Sequence, residues 1–305
     1  MTAPLPFSYQ RYLAAKKSVD DRALNSEVGA ELARRVVWGQ AGAPLRVLEV
    51  GCGIGTMLER LVEKGMLYHG TYTGIDLDKD NISQAKTRLE RFAAVRKENL
   101  TWKDEGFFLK GKNLKVRADF EAIDLFDFIQ REQGQRAWDL LLAHAFLDLA
   151  PLPAALPGML SLLKKGGTFY FTLNFDGATI FQPPLELDEH IEILYHGTMD
   201  ARRVKGMPTG GSRTGRRLFG HLKAAGATVI AAGPSDWVVF PSPRGYPEDE
   251  AYFLHFIIDT IHQSLAGQSE LDPAPFKNWV EERHRQVERQ ELVYIAHQLD
   301  FLGYV

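Results

Sequence analysis

Apolar positions along the chain follow two periods in alternation. Short runs rich in Val, Ile, Leu and Phe predict strands at residues 46–50, 71–75, 114–123, 138–143, 169–173 and 228–232. Between them, apolar residues recur at helical spacing over 56–64, 79–96, 156–163 and 214–225, where Gly226 closes the last helix. Residues 9–37 also read as helical, with a break expected around 17–22. Strands alternating with helices predict an α/β domain around a mostly parallel sheet, whose ligand side lies at the C-terminal strand ends.

The first strand enters the turn Gly51-Cys52-Gly53-Ile54-Gly55, and the second stops at Asp76 with Asp78 two residues on. Three glycines in five positions let the backbone adopt conformations closed to other residues and let a ligand press against the main chain. The helix that follows offers unpaired N–H donors at its N-terminus. Asp76 falls roughly 20 residues past the turn, where a βαβ unit holds a ribose diol. A dinucleotide fingerprint would read G-x-G-x-x-G, but the sixth position counted from Gly51 is Thr56, and from Gly53 it is Leu58.

Joined together, Glu49-x-Gly51-x-Gly53-x-Gly55 and Gly74-Ile75-Asp76-Leu77-Asp78 resemble the class I S-adenosylmethionine-dependent methyltransferase family. The resemblance implies a Rossmann-like sheet of seven strands, the last antiparallel, with helices on both faces and helical insertions capping the ligand side. Residues 292–302 suit the last strand, and 237–240 compete for that place. The implied organisation is an N-terminal helical lid over residues 1–40 and a methyltransferase domain over 41–305. Insertions at about 175–213 and 241–290 would roof one pocket with the lid, the second carrying helices near 248–265 and 275–290.

The same resemblance implies a cofactor site for S-adenosylmethionine, with S-adenosylhomocysteine as product. Asp76 would hold the ribose hydroxyls, Leu77 would lie against the adenine, and Asp124 with Leu125 would take its amine and other face. Asp119 competes with Asp124 for that role. Gly51, Cys52 and Gly53 would line the homocysteine part, with Glu49 near its ammonium. His144, ending the fourth strand, would face the transferred methyl, either as a general base or as a residue that only orients ligand. Ala143-His144-Ala145-Phe146 lacks the Asn-Pro-Pro-aromatic motif of many amino-group and nucleic-acid methylases. Candidates for the substrate pocket are Tyr9, Tyr12, Asn174, Tyr195, His196 and Trp237, and the rings of Tyr9, Tyr12, Tyr195 and Trp237 can favour a sulfonium cation.

Composition sets outer bounds. The 305 residues are 45% hydrophobic and 25% charged, ordinary for a globular protein, and the net charge of −3 gives no global pull toward nucleic acid or anionic lipid. The single cysteine, Cys52, fits a reducing compartment. The opening residues 1–6 show no leader pattern and no stretch is long and apolar enough to span a bilayer, so a cytoplasmic protein is expected.

Two further clusters carry chemistry. Residues 201–217 hold Arg202, Arg203, Lys205, Arg213, Arg216 and Arg217 without an acidic residue, a basic loop that can bridge to the acidic 248–250 segment, recognise an anionic small molecule or meet RNA. His190, Tyr195, His196 and Asp200 have spacing that permits a metal site, although no metal is expected. The leading expectation is methyl transfer to an oxygen or nitrogen of a small molecule by in-line displacement. A non-catalytic cofactor-binding sensor or scaffold and an RNA methyltransferase are the alternatives, and the oligomeric state is left open.

Overall fold

A computed structural model of the chain describes residues 7–40, 43–103 and 106–305, without the side chains of 37–40; the reading of residues 1–6 lies outside it. Helix α1 (Tyr9–Ala23) and helix α2 (Ser26–Gln40) precede the sheet. The break falls at residues 24–25, later than the charged stretch 17–22 suggested. Within α1, Lys16 pairs with Asp20 and Lys17 with Asp21, and i,i+4 pairs of this kind keep charged residues helical. Asn25 then accepts from the amides of Glu27 and Val28 and so starts α2.

The strands are β1 (Leu45–Val50), β2 (His69–Asp76), β3 (Asn99–Lys103), β4 (Gly106–Gly111), β5 (Leu114–Ala122), β6 (Trp138–His144), β7 (Leu163–Gln182), β8 (Arg203–Val204), β9 (Met207–Pro208), β10 (Thr228–Pro234), β11 (Trp237–Val239) and β12 (Val293–Tyr304). One sheet runs in the order β10-β12-β7-β6-β1-β2-β5-β4-β3, with β11 added to β12. Strands β5, β2, β1, β6 and β7 are mutually parallel, and β12 lies antiparallel between β7 and β10. These seven strands are the expected Rossmann-like core with an antiparallel last strand. Both rivals for that place are strands: residues 293–304 form β12, and 237–239 pair against it.

Three strands exceed the expected seven: the hairpin β3–β4, which extends the β5 edge, and β11. The β3–β4 hairpin was unforeseen because its side chains, apart from Phe107 and Leu109, are not buried, so little periodicity marks it. β7 departs further from expectation. It continues through the residues read as an insertion, paired with β12 from Thr168 to Gln182. The segment outside the sheet thus begins after residue 182 rather than at 175.

Helices α3 (Thr56–Glu63), α4 (Lys79–Arg96), α5 (Leu125–Glu132), α6 (Leu152–Ser161) and α8 (Thr214–Ala224) cover the sheet. Alternate residues of each strand face opposite layers. Val47, Tyr72 and Leu142 pack with α2, α3 and α4, whereas Leu48, Ile75 and Leu141 pack with α5, α6 and α8. Each such aliphatic side chain, removed fully from water, contributes about 1.5–3 kcal/mol. A third apolar cluster joins α1, α7 (Asp188–Ala201), α9 (Glu250–Leu265) and α10 (Pro273–Glu288) to the outer halves of β7 and β12. This layer roofs the sheet. No described helix is long and apolar enough to cross a membrane.

Candidate functional site

The turn after β1 takes the shape its glycines permit. Gly51, Gly53 and Gly55 have φ of +67°, +52° and +79°, and a Cβ on Gly51 would overlap the ring of Phe146. Gly55 caps the start of α3 without a side chain, so the first amides of that helix are left facing the turn. The amide of Cys52 donates to Ile75 O at 2.9 Å, which ties the turn to the end of β2. There Asp76 Oδ2 accepts from the amide of Gly53 at 2.8 Å, while Oδ1 accepts from Asp78 N and from Asn81 Nδ2.

Above this floor lies a cavity of about 670 Å³. Glu49, Gly51, Cys52, Gly53, Asp76, Leu77, Asp124, Leu125 and His144 border it, as do Tyr9, Tyr12, Tyr195 and Trp237. Thirteen sequence-derived candidates therefore converge. Leu77 is 73% exposed at the lip, an apolar side chain left uncovered where a flat ring can lie on it. Asp124 caps α5 by accepting from Phe126 N at 2.8 Å, whereas Asp119 pairs with Arg117 and does not border the cavity.

Two candidates fall elsewhere. Asn174 is fully buried in β7, where its amide donates to Phe171 O and Leu299 O; it braces the strand pair because the sheet continues past it. His196 turns its Nε2 to Thr179 Oγ1 at 2.9 Å and stands behind the wall that Thr179 forms. The spacing that suggested a metal site disperses as well. His190 meets Glu270 O, Asp200 accepts from Ser212, and Tyr195 faces the cavity, so the group does not converge.

The basic loop is folded rather than open. β8 and β9 form a hairpin whose Lys205 reaches Asp124 Oδ1 at 3.0 Å, with its ammonium 4.9 Å from the Phe126 ring centroid. Arg216 pairs with Asp176, and Arg217 donates to Gly210 O. The acidic segment expected to receive these arginines pairs instead with α1: Asp249 with Arg11 and Glu250 with Arg22.

Polar groups beneath the roof form a network that the sequence did not disclose. Asp20, 2% exposed, accepts from Lys16 Nζ at 2.5 Å and from Trp237 Nε1 at 3.0 Å, and it contacts His144 Nε2 at 3.0 Å and Arg60 Nη2 at 3.5 Å. Burial opposes charge on Asp20, but Lys16, His144 and Arg60 outweigh it and hold the carboxyl below its ordinary range. Thr172 Oγ1 meets the other imidazole nitrogen of His144 at 2.7 Å. Burial, aided by Arg60, lowers the His144 pKa to about 4, so the ring is neutral near pH 7. The i,i+4 spacing of Lys16 and Asp20 was visible, but nothing in it pointed to His144, 124 positions away.

Glu49 is buried at the end of β1 and accepts a short hydrogen bond from the Tyr72 hydroxyl. Burial raises its pKa to about 8, and Tyr72 and Arg60 moderate the rise. A carboxyl so placed is ready to ionise when a cation arrives.

Residues 48–169 match the model of a family described as a methyltransferase domain. The match covers less than half of the chain, and the strand order above is the Rossmann-like arrangement expected of such a domain. No curated protein matches the chain. Among solved structures, it is similar to a SAM-dependent methyltransferase from Thiobacillus denitrificans in complex with S-adenosyl-L-homocysteine, at 15% identity over 99% of this chain and 100% of that one, with a TM-score of 0.47. It is also similar to magnesium protoporphyrin IX methyltransferase from Synechocystis with bound SAM, at 12% identity, 77% and 80% coverage and a TM-score of 0.41. A cyclase shares 16% identity over 96% and 93% of the two chains, with a TM-score of 0.45. All three lie too far away for a role to be carried across.

Proposed function

We propose that the protein is an S-adenosylmethionine-dependent methyltransferase acting on an oxygen or nitrogen of a small molecule. The observation that carries this reading is the joint between Gly53 N and Asp76 Oδ2, which brings a side-chain-free turn and a strand-end carboxylate to one cavity floor. The residues fit the cofactor. Bared main chain at Gly51 and Gly53 would take its homocysteine part, Glu49 its ammonium, Asp76 its ribose, and Leu77 with Asp124 and Leu125 its adenine.

When bound, S-adenosylmethionine supplies a sulfonium methyl already activated for displacement. The chain's own work is then placement and the exclusion of water. Tyr9 and Tyr12 from α1, Tyr195 from α7 and Trp237 from β11 wall the remaining volume, and fixing an acceptor there in line with the methyl can supply several kcal/mol. His144 is neutral, the state a general base requires, but its two nitrogens face Asp20 with Arg60 and Thr172. An acceptor hydroxyl would reach the imidazole by displacing one of those partners.

Calorimetry with S-adenosylhomocysteine tests the cofactor half of the reading, and absence of binding would end it. Formation of S-adenosylhomocysteine from S-adenosylmethionine in the presence of candidate acceptors tests the enzyme half. Tight cofactor binding without turnover on any acceptor would favour a sensor or scaffold. RNA is the weaker alternative, because Lys205, Arg216 and Arg217 already have partners within the chain.

A further inference from the structure

Beyond the cofactor end, the cavity extends under the roof to the outer halves of β7, β11 and β12. Gln298 borders it there. The residue is 2% exposed and its backbone is fully engaged, with N donating to Asp236 and O accepting from Ser235 N. Its side-chain Nε2 is buried and has no hydrogen-bond partner. A buried donor left unpaired costs the fold stability, a cost that a ligand oxygen would remove. The terminal torsion of a glutamine is soft, so the amide can turn its NH₂ toward the cavity without losing any bond it now makes.

A second donor stands close by. Lys16 is 5% exposed, borders the cavity, and among the described residues its ammonium has Asp20 as hydrogen-bond partner, leaving two of its three hydrogens for a ligand. Trp237 links the two donors. The Lys16 ammonium lies 5.2 Å from its ring centroid, and Ala296, its partner in register, sits two residues before Gln298 on the same face of β12. Tyr12, Tyr195 and Tyr294 add flat walls around this end.

Resting on the methyltransferase reading, we propose that this inner end is the acceptor's anchoring subsite and that the acceptor is a flat aromatic molecule carrying an anionic oxygen, a carboxylate or phenolate, held by Gln298 Nε2 and Lys16 Nζ. The anchored oxygen fixes the orientation of the ring; the atom to be methylated points back toward His144. Aromatic walls favour a planar body, and the two donors favour an anionic oxygen because the Asp20 carboxylate beside Lys16 is already offset by Arg60 and by its hydrogen bonds from Lys16 and Trp237.

The test uses the full-length protein with 2-naphthoate and its uncharged analogue 2-naphthamide as probes, titrated with and without S-adenosylhomocysteine. The wild-type protein should bind 2-naphthoate at least tenfold more tightly than 2-naphthamide. Gln298→Met, which keeps the volume and removes the unpaired donor, should weaken 2-naphthoate about tenfold or more while leaving affinity for S-adenosylhomocysteine unchanged. It should also raise the melting temperature of the ligand-free protein. Equal 2-naphthoate affinity in variant and wild type, equal affinity of the wild type for both probes, or no binding of 2-naphthoate at millimolar concentration would overturn the proposal. Should Gln298→Met fail to fold, the comparison of the two probes on the wild type decides. Absence of S-adenosylhomocysteine binding would overturn the methyltransferase reading instead and leave the anchor to be judged on the naphthalene probes.

Discussion

The amide of Gly53 and the carboxylate of Asp76 meet at 2.8 Å across 23 positions of sequence, so the turn after β1 and the tip of β2 form one rigid surface. Asp76→Ala removes both the proposed ribose contact and the acceptor that holds the turn. Affinity for S-adenosylhomocysteine should fall by about 1–3 kcal/mol, read by calorimetry, as expected for lost hydrogen bonds to a charged group. Unchanged affinity would show that the ribose lies elsewhere.

Glu49 gives binding a pH signature. Burial pushes its pKa up to about 8, above the ordinary glutamate value of 4.5, so the neutral form is favoured by the fold. The stability this form supplies is fully present below the unfolded value and is lost as pH rises through about 8. An ammonium bound beside Glu49 favours the carboxylate and expels the proton. Near pH 7, S-adenosylhomocysteine binding should therefore release close to one proton, measured as a dependence of the calorimetric heat on the ionisation enthalpy of the buffer. In Glu49→Gln that dependence should vanish.

His144 has the opposite sign. Its pKa is lowered to about 4 from 6.5, so the neutral ring stabilises the fold above the unfolded value, and that contribution is lost as pH falls from about 6.5 through 4. Acid denaturation of the wild type should begin in this window and move to lower pH in His144→Gln. In turnover assays His144→Ala should lower kcat while sparing cofactor affinity; an unaltered kcat would retire the base.

Lys205 closes the proposed adenine end through Asp124, in a pair whose members are 51% and 25% exposed. A pair so open to water contributes at most about 1 kcal/mol, so Lys205→Ala should barely change the melting temperature. Stopped-flow dissociation of S-adenosylhomocysteine should become several-fold faster, because the hairpin is no longer tied over the site. An unchanged off-rate would make the contact incidental.

What the sequence disclosed follows from where the information sits. Glycines at 51, 53 and 55 and carboxylates ending β2 and starting α5 are local signals; Gly51, Gly53, Asp76 and Asp124 border the cavity, and Gly55 starts α3 behind it. The boundaries of α4 and, within a few residues, of β1, β2, β5, β6 and β10 were likewise written in periodicity. The extension of β7 was hidden because residues 174–182 mix Asn, Asp, Gly and Thr with apolar residues, a composition typical of loops, and become strand only when paired with β12. Asn174 was misjudged for that reason. The meeting of Asp20, Arg60 and His144 joins α1, α3 and β6, and no spacing rule reaches across such separations.

The twenty residues of β7 run without interruption beneath both compartments, carrying Thr172 next to the imidazole and Thr179 in the farther wall. On the proposed reading, acceptor preference is thereby written into the same rail that aligns the reaction centre. Retargeting this protein by exchanging surface loops would leave that preference untouched; the outer halves of β7 and β12 must be transplanted as a matched pair, together with the helices that rest on them.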